Sequence, residues 1–511
     1  MDDAHVIQGI SWSDMVAHME RGGMDRGMVY LPDPPVSPAA ALSLSAAPSP
    51  NDGVDRISRL PDAVLRDIVS RLPAKDAART AALASRWRPL LALGSSHSRR
   101  QPPASGRRRG GVSSSSAPPL PAPSPPRCPA SSRRTRALSA WLNILAAKGV
   151  QELVFVNRPL PIDLRLPATI FSCASLTRLH LGIWRLPDTA AVPRAARFPN
   201  LRDLGLYWNS MEDRDLDFML ERSPVLESLF ILGFQSGLRL RLVNQSLRCI
   251  QLGFSFAEDI DLVDAPRLER LFQFAELTES PKMNNGRSTR KRSSVIKIGS
   301  APKLRVLGYL KPGEQELAGN KENIVPSVQI LGIEVQFGVR NTVKKVPGFL
   351  RCFPNLETLH VQSRPISEES TGKVSVKFWQ EGGPIKCILQ SIKKVFFYEF
   401  RGSRSEVSFL KFVAEKARVL EQMVVVVCIE CFSPGDDNVR VKLKPLTSAK
   451  WNSKACRLEL FRSPVTDGSG PAYNHELASD FEFADPFDLK YYKKAGRISA
   501  VYYMMRMFVS N

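Results

Sequence analysis

Between Ala77 and Gln151 the chain has no aspartate or glutamate, against twelve arginines and one lysine. That stretch alone carries +13 of a formal net charge of +21 over 511 residues, which leaves +8 for everything else. The distribution excludes a basic surface running the length of the protein, so the remaining parts read as only mildly basic. Within it, Gly94 to Arg136 has no aromatic residue and no lysine, and 37 of its 43 residues are Arg, Ser, Pro, Ala or Gly. Without aromatics to stack on bases, such a segment is a poor single-strand platform and reads as a low-complexity linker. Long apolar runs are also missing: the best, Val501 to Val509, is too short for a bilayer and is broken by Arg506. The Met1-Asp2-Asp3 start lacks the pattern of a secretory signal, so the eight cysteines are expected as free thiols in a reducing interior.

The usual signatures of catalysis and metal binding are incomplete. Cys428 and Cys431 form a CxxC, but three residues apart on a strand they point to opposite faces, and a buried pair of core thiols is the reading preferred. His475-Glu476 begins an HExxH in which Ser479 replaces the second histidine. Gly372-Lys373 resembles the end of a phosphate loop whose first glycine is replaced by Ser367. No cofactor and no metal is expected, and the chain is read as non-catalytic.

What is present begins with Asp55 to Leu91. Leu65, Ile68 and Leu72 recur three and four residues apart behind Leu60-Pro61-Asp62, on one face of a short helix opened by a proline and an acid and stopped by Pro73. Leu83 and Trp87, four apart, form the apolar side of a following helix, with Arg79, Arg86 and Arg88 on the other. At about 1.5 to 3 kcal/mol per large side chain, leaving these residues half exposed forfeits several kcal/mol unless a partner covers them. The run LPDAVLRDIVSRLPAKDAARTAALASRWRPLL resembles the plant F-box. That resemblance implies a three-helix module that binds the S-phase-kinase-associated adaptor of a cullin-RING ubiquitin ligase, with Leu60, Pro61, Leu65, Ile68, Leu72, Pro73, Leu83, Arg86 and Trp87 as adaptor-binding residues. Ala78, Ala81, Ala82 and Ala84 stand where the family usually has valines and serines, which reduces the area available for docking.

From Ala137 an apolar pattern repeats. LTRLHL begins at Leu176, and its counterparts begin at Leu201, Leu226, Leu247, Leu268, Leu304, Val328 and Leu356, spaced 25, 25, 21, 21, 36, 24 and 28 residues apart. Apart from the long gap, which Met283 to Ser294 fills as a polar, basic loop, this is leucine-rich-repeat spacing. Each repeat buries its leucines only by stacking on neighbours, so the LxxLxL segments line up as one parallel sheet that QELVFV at Gln151 starts. Period-two alternation sends Leu179 and Leu204 inward and Arg178, His180, Asp203, Phe230, Gln251, Arg270, Phe272, Thr358 and His360 to an exposed concave surface, the expected target-binding face. At Leu268 the frame is ambiguous, with either Phe272 or Phe274 facing the core.

After Arg364 the repeat decays. IKCILQSIKKVFFYEF reads as one or two strands, RGSRSEVSFLKFVAEKARVL as a helix with a Ser403/Glu406 capping box and a Phe409, Val413, Ala417 stripe, and LEQMVVVVCIE as a buried strand. With Gly402, Glu406, Phe412, Ala417, Leu420 and Glu421 this series resembles the FBD domain that follows leucine-rich repeats in many plant F-box proteins. WNSKACRLELFRSP and ASDFEFADPFD look like the grass members of that family.

The expected fold class is α+β multidomain: a disordered leader (1–52), a three-helix F-box (53–93), the linker (94–136), an α/β leucine-rich-repeat solenoid (137–364), an α/β FBD unit (365–488) and a tail (489–511). The resemblance implies the substrate-recognition subunit of an SCF-type ubiquitin ligase, cytoplasmic or nuclear, holding the adaptor directly, the cullin indirectly, and an unidentified target protein, with no membrane partner. One alternative is a nucleic-acid or chromatin-associated protein using the arginine-rich linker and the Arg287 to Arg292 loop. Another is a non-functional F-box relative whose linker arises from intron read-through or a frame error, a reading that detection of native peptides from Gln101 to Pro126 by mass spectrometry would exclude.

Overall fold

The computed structural model describes residues 6–7, 10–11, 129–157, 164–188, 192–193, 195–233, 239–253, 259–274, 294–318, 324–364, 376–428, 431, 438–462 and 478–487. Two compact units divide the chain, one of Met1–Tyr30 with Gly149–Asn511 and the other of Leu31–Lys148. In the second, the described part is a helix over Pro129–Ala147 that buries Leu142. It starts inside the stretch read as linker, because Arg and Ala are good helix formers even where composition is biased and a proline suits a first turn. The F-box residues named above, the linker up to 128, the loop from Met283 to Ser293, Gly372-Lys373, His475-Glu476 and the tail lie outside the described residues. So does the leader, apart from an antiparallel pairing of Val6–Ile7 with Ile10–Ser11.

Among the described residues of the first unit, twelve strands form one parallel sheet. In order these are Glu152–Val156, Arg178–Gly182, Asp203–Tyr207, Ser228–Leu232, Cys249–Gly253, Arg270–Phe274, Val306–Leu310, Ile330–Val335, Thr358–Ser363, Lys394–Phe400, Gln422–Val427 and Arg457–Arg462. The leucine frame sets the register: Leu179 pairs with Leu204, Leu204 with Leu229 and Leu229 with Ile250, all fully buried. Truncating any one of them removes contacts within a continuous stack and leaves a cavity the neighbouring repeats cannot close.

What packs behind those strands changes along the chain. Asp213–Glu221, opened by a reciprocal Glu212/Asp215 capping box, and Arg340–Arg351 are helices. Between them the intervening segments form a second parallel sheet, Arg239–Val243, Asp259–Asp264, Ser294–Ser300 and Gln315–Ala318. In Arg239–Val243 the leucines 240 and 242 are buried and the flanking residues exposed, a half-buried strand alternation in repeats too short for a helix. Ser294, read as the end of the basic loop, begins one of these strands.

The sheet does not stop at Arg364. Thr358 pairs with Lys394, Lys394 with Gln422 and Gln422 with Arg457, so the FBD strands extend the leucine-rich-repeat sheet in register. Of IKCILQSIKKVFFYEF, the first part is a helix, Lys386–Gln390, and only Lys394–Phe400 is a strand. Helix Arg404–Lys416 has the expected box: Ser403 Oγ accepts from the Glu406 amide at 3.2 Å, and Glu406 accepts from the Ser403 amide at 2.7 Å. Phe409, Val413 and Ala417 are fully buried.

Candidate functional site

The sheet face opposite the leucine core is built in rows by the register. One row runs His180, Gly205, Phe230, Gln251, Phe272 and Gly308 across six adjacent strands; a second section aligns Gly332, His360, Phe396 and Val424. This places every predicted target-face residue opposite the leucines, and at the ambiguous repeat it puts Phe272 in the outer row.

Exposure, however, is not what the alternation suggested. His180, Phe230, Gln251, Arg270, Phe272, Thr358 and His360 are all buried, and of the nine only Arg178 and Asp203 keep substantial side-chain exposure. A strand period fixes which side a residue leaves the sheet on; it does not fix what lies there.

At the N-terminal end the cover is local. Gly205 has no side chain, and a Cβ there would lie 2.5 Å from His180 Nδ1 and 2.7 Å from the Tyr207 ring. Tyr207 folds across that slot, its hydroxyl 2.8 Å from His180 Nδ1 and its ring 5.2 Å from that of Phe230. Asp203 Oδ2 lies 3.1 Å from Arg178 Nε and 3.5 Å from His180 Nε2. Burial alone would raise the Asp203 carboxyl, but His180 and Arg178 outweigh it and hold it below its ordinary value. Burial and the Asp203 charge push the Tyr207 phenol well up.

Toward the C-terminal end the cover is a distant part of the same unit, residues 478–487. Arg270 donates from Nη1 to the carbonyls of Ala478 (2.9 Å) and Asp480 (3.0 Å) and from Nη2 to that of Phe483 (2.5 Å). The Phe481 ring lies 3.6 Å beneath the Arg248 guanidinium and 5.0 Å from that of Arg270, a cation–π pairing. Asp485 Oδ2 is 3.0 Å from His360 Nε2. Phe487 closes the segment in an aromatic box, its ring centroid 5.4 Å from Phe272, 4.8 Å from Tyr309 and 5.2 Å from His360. Gly332 lies under the Tyr309 wall of that box, where a Cβ would crowd the Tyr309 ring at 3.1 Å and reach the Phe487 ring at an ordinary contact distance of 3.5 Å.

Both ring nitrogens of the histidine have polar neighbours: the Tyr398 hydroxyl, which donates to the Phe487 carbonyl at 3.2 Å, lies 3.0 Å from His360 Nδ1, and Asp485 lies at Nε2. His360 also stacks on Phe396 at 4.6 Å and 7°. Burial raises the Asp485 carboxyl, yet the His360 charge and hydrogen bond, with the Phe487 amide and Lys394, bring it below its ordinary value.

Sequence reasoning missed Arg248, Tyr309, Gly332 and Tyr398, and missed that residues 478–487 are their occupant. The available signal was complementarity: three acids and three phenylalanines without a base in 478–487, facing Arg248, Arg270 and His360.

The CxxC is not a pair of core thiols. Cys428 is buried, its thiol pushed up to about 12 chiefly by burial, whereas Cys431 is exposed one turn beyond the strand end. Among the described residues no cluster of His, Cys, Asp and Glu is arranged to hold a metal, and no helix is long and apolar enough to cross a membrane.

Three family models match the chain in order: the F-box domain at 57–92, the leucine-rich repeats of FBD-associated F-box protein At5g56370 at 138–361, and FBD at 380–425. Similar proteins from Arabidopsis thaliana include FBD-associated F-box protein At5g22730, 24% identical over 454 residues that cover 80% of this chain and 94% of that one. Putative F-box/FBD/LRR-repeat protein At5g22610 is 23% identical over 503 residues, covering 85% and 95%. F-box/LRR-repeat protein 13 is 28% identical over 258 residues, covering 43% and 52%. With the three modules in this order and one sheet running unbroken from the repeats into the FBD unit, the chain belongs to the plant F-box proteins that carry leucine-rich repeats and a C-terminal FBD domain.

Proposed function

We propose that this chain is the substrate-recognition subunit of an SCF-type cullin-RING ubiquitin ligase. F-box proteins of this family generally serve as substrate receptors in such complexes and are typically non-catalytic. The F-box holds the adaptor, the adaptor holds the cullin, and the solenoid with its FBD extension presents the target to transfer chemistry carried out elsewhere, in the cytoplasm or nucleus. The observation that carries this reading is the F-box match at 57–92 placed ahead of a repeat domain whose outer face holds the chain's own residues 478–487 through an arginine clamp and an aromatic box. A docking module joined to a surface that can engage an extended chain segment is the composition an adaptor-bound receptor needs.

The test is co-purification of the full chain with adaptor and cullin. Leu65→Asp and Trp87→Ala are each expected to abolish adaptor capture while cooperative unfolding of the rest is retained, because these residues belong to the docking module and not to the leucine stack. Undiminished capture by both variants in titration calorimetry overturns the assignment.

A further inference from the structure

We propose that the outer sheet face between the Cys249–Gly253 and Lys394–Phe400 strands is the site where a target protein docks an acidic, phenylalanine-bearing peptide, and that residues 478–487 occupy this site in cis until displaced. The inference rests on the receptor reading above and specifies the chemistry that such a receptor selects.

The contacts divide into general and selective ones. Arg270 reads three backbone carbonyls, groups that every peptide carries, so it clamps a chain without regard to its sequence. Selectivity comes from three side-chain sockets: Phe481 beneath Arg248, Asp485 against His360, and Phe487 in the box of Phe272, Tyr309 and His360. Any extended segment with a phenylalanine, an acid and a second phenylalanine at similar spacing meets the same partners. On this face a guanidinium and an imidazole are buried and both engage the segment, Arg270 through three backbone carbonyls and His360 through Asp485 and Phe487.

The occupant is separate from the architecture that supports it. None of its residues forms a strand of the sheet, and the twelve-stranded ladder and the leucine stack are continuous without it. It crosses the strands, from Ala478 beside Cys249 at 3.4 Å to the Phe487 carbonyl beneath Tyr398. It is joined to the last strand only through residues 463–477, a fifteen-residue connection. Such a tether raises the local concentration of the segment to about the millimolar range, so a free peptide competes poorly against it and well once it is weakened.

The experiment uses the full chain and a fluorescein-labelled synthetic peptide corresponding to residues 478–488, titrated by anisotropy. Against a chain carrying Asp485→Asn and Phe487→Ala, the peptide is expected to bind about tenfold or more tightly than against wild type. Adding Arg270→Gln to that variant is expected to abolish binding, as is replacing the phenylalanine at peptide position 487 by alanine. Failure of the peptide to bind a variant that still unfolds cooperatively overturns the proposal, and so does equal affinity for variant and wild type. In the unaltered chain, amides of 478–487 are expected to exchange with solvent by local opening, faster than those of the leucine strands. If they exchange only with global unfolding, or if the double variant fails to fold, the segment is core and not ligand, and the proposal falls. Adaptor capture in the same preparations separates the two readings. Capture without peptide binding removes this inference alone; peptide binding without capture removes the ligase assignment and leaves the peptide site.

Discussion

Leu204 and Phe230 sit on opposite faces of the sheet, and both are buried, the first by the stacked repeats and the second by Tyr207 and its surroundings. Leu204→Ala is expected to cost about 2 to 5 kcal/mol in urea unfolding, and Phe230→Ala about 3 to 5 kcal/mol, as much as a core residue despite its outward position. A Phe230 variant within about 0.5 kcal/mol of wild type, the range usual for surface substitutions, contradicts the burial described here. Asp485 adds a pH dependence. Its carboxyl titrates below the ordinary aspartate value of about 3.9, so the folded state binds that proton less readily than the unfolded chain does. Its contribution is therefore fully present above about pH 4 and is lost as pH falls through the lowered folded value. Asp485→Asn is expected to be less stable than wild type at neutral pH and to converge with it in acid. A constant difference across that range rules out the ion pair with His360 as the cause.

Among the elements, helix Arg404–Lys416 shows most directly how a few residues set a local structure. Ser403→Ala removes one half of the capping box and is expected to cost about 1 kcal/mol. Glu406→Ala removes more, because its buried carboxyl also accepts from Ser363 Oγ at 2.6 Å and from the Arg401 amide at 3.3 Å. Leaving those donors unpaired costs about 1 to 3 kcal/mol each, so Glu406→Ala is expected to exceed Ser403→Ala in the same denaturant titration. Equal losses would mean that only the cap matters. The box was legible in the sequence because both partners lie within four residues of each other. The helix Lys386–Gln390 was not, since its Cys387 and Ile388 are buried by tertiary contacts and a short apolar run does not distinguish helix from strand.

At the scale of the whole molecule, the leucine-rich repeats and the FBD unit are one sheet. Strand starts at Thr358, Lys394, Gln422 and Arg457 are 36, 28 and 35 residues apart, mostly beyond the leucine-rich-repeat range, which is why the pattern dissolves after Arg364 while the hydrogen-bonded ladder continues. The extra length holds helices such as Arg404–Lys416 and Asn438–Thr447. The arginine-rich stretch precedes these repeats in the sequence. Deleting residues 95–128, which bring no aromatic and few large apolar side chains, is expected to leave the calorimetric transition of the remainder nearly unchanged. Loss of cooperative unfolding on that deletion contradicts the linker reading.

By itself the sequence determined the modules, their order and the side of the sheet each repeat residue leaves from. Those properties rest on short-range spacing: four-residue helix contacts, a two-residue strand alternation, and repeats of 20 to 30 residues that bury leucines only when stacked. Only the tertiary structure decided what lies against the outer face. Arg270 and the carbonyls it binds are 208, 210 and 213 residues apart in the chain. Contacts at that separation arise from complementary chemistry and the path of the chain, so no local periodicity carries them. A face that alternation alone makes solvent-exposed is thereby buried beneath Phe481, Asp485 and Phe487.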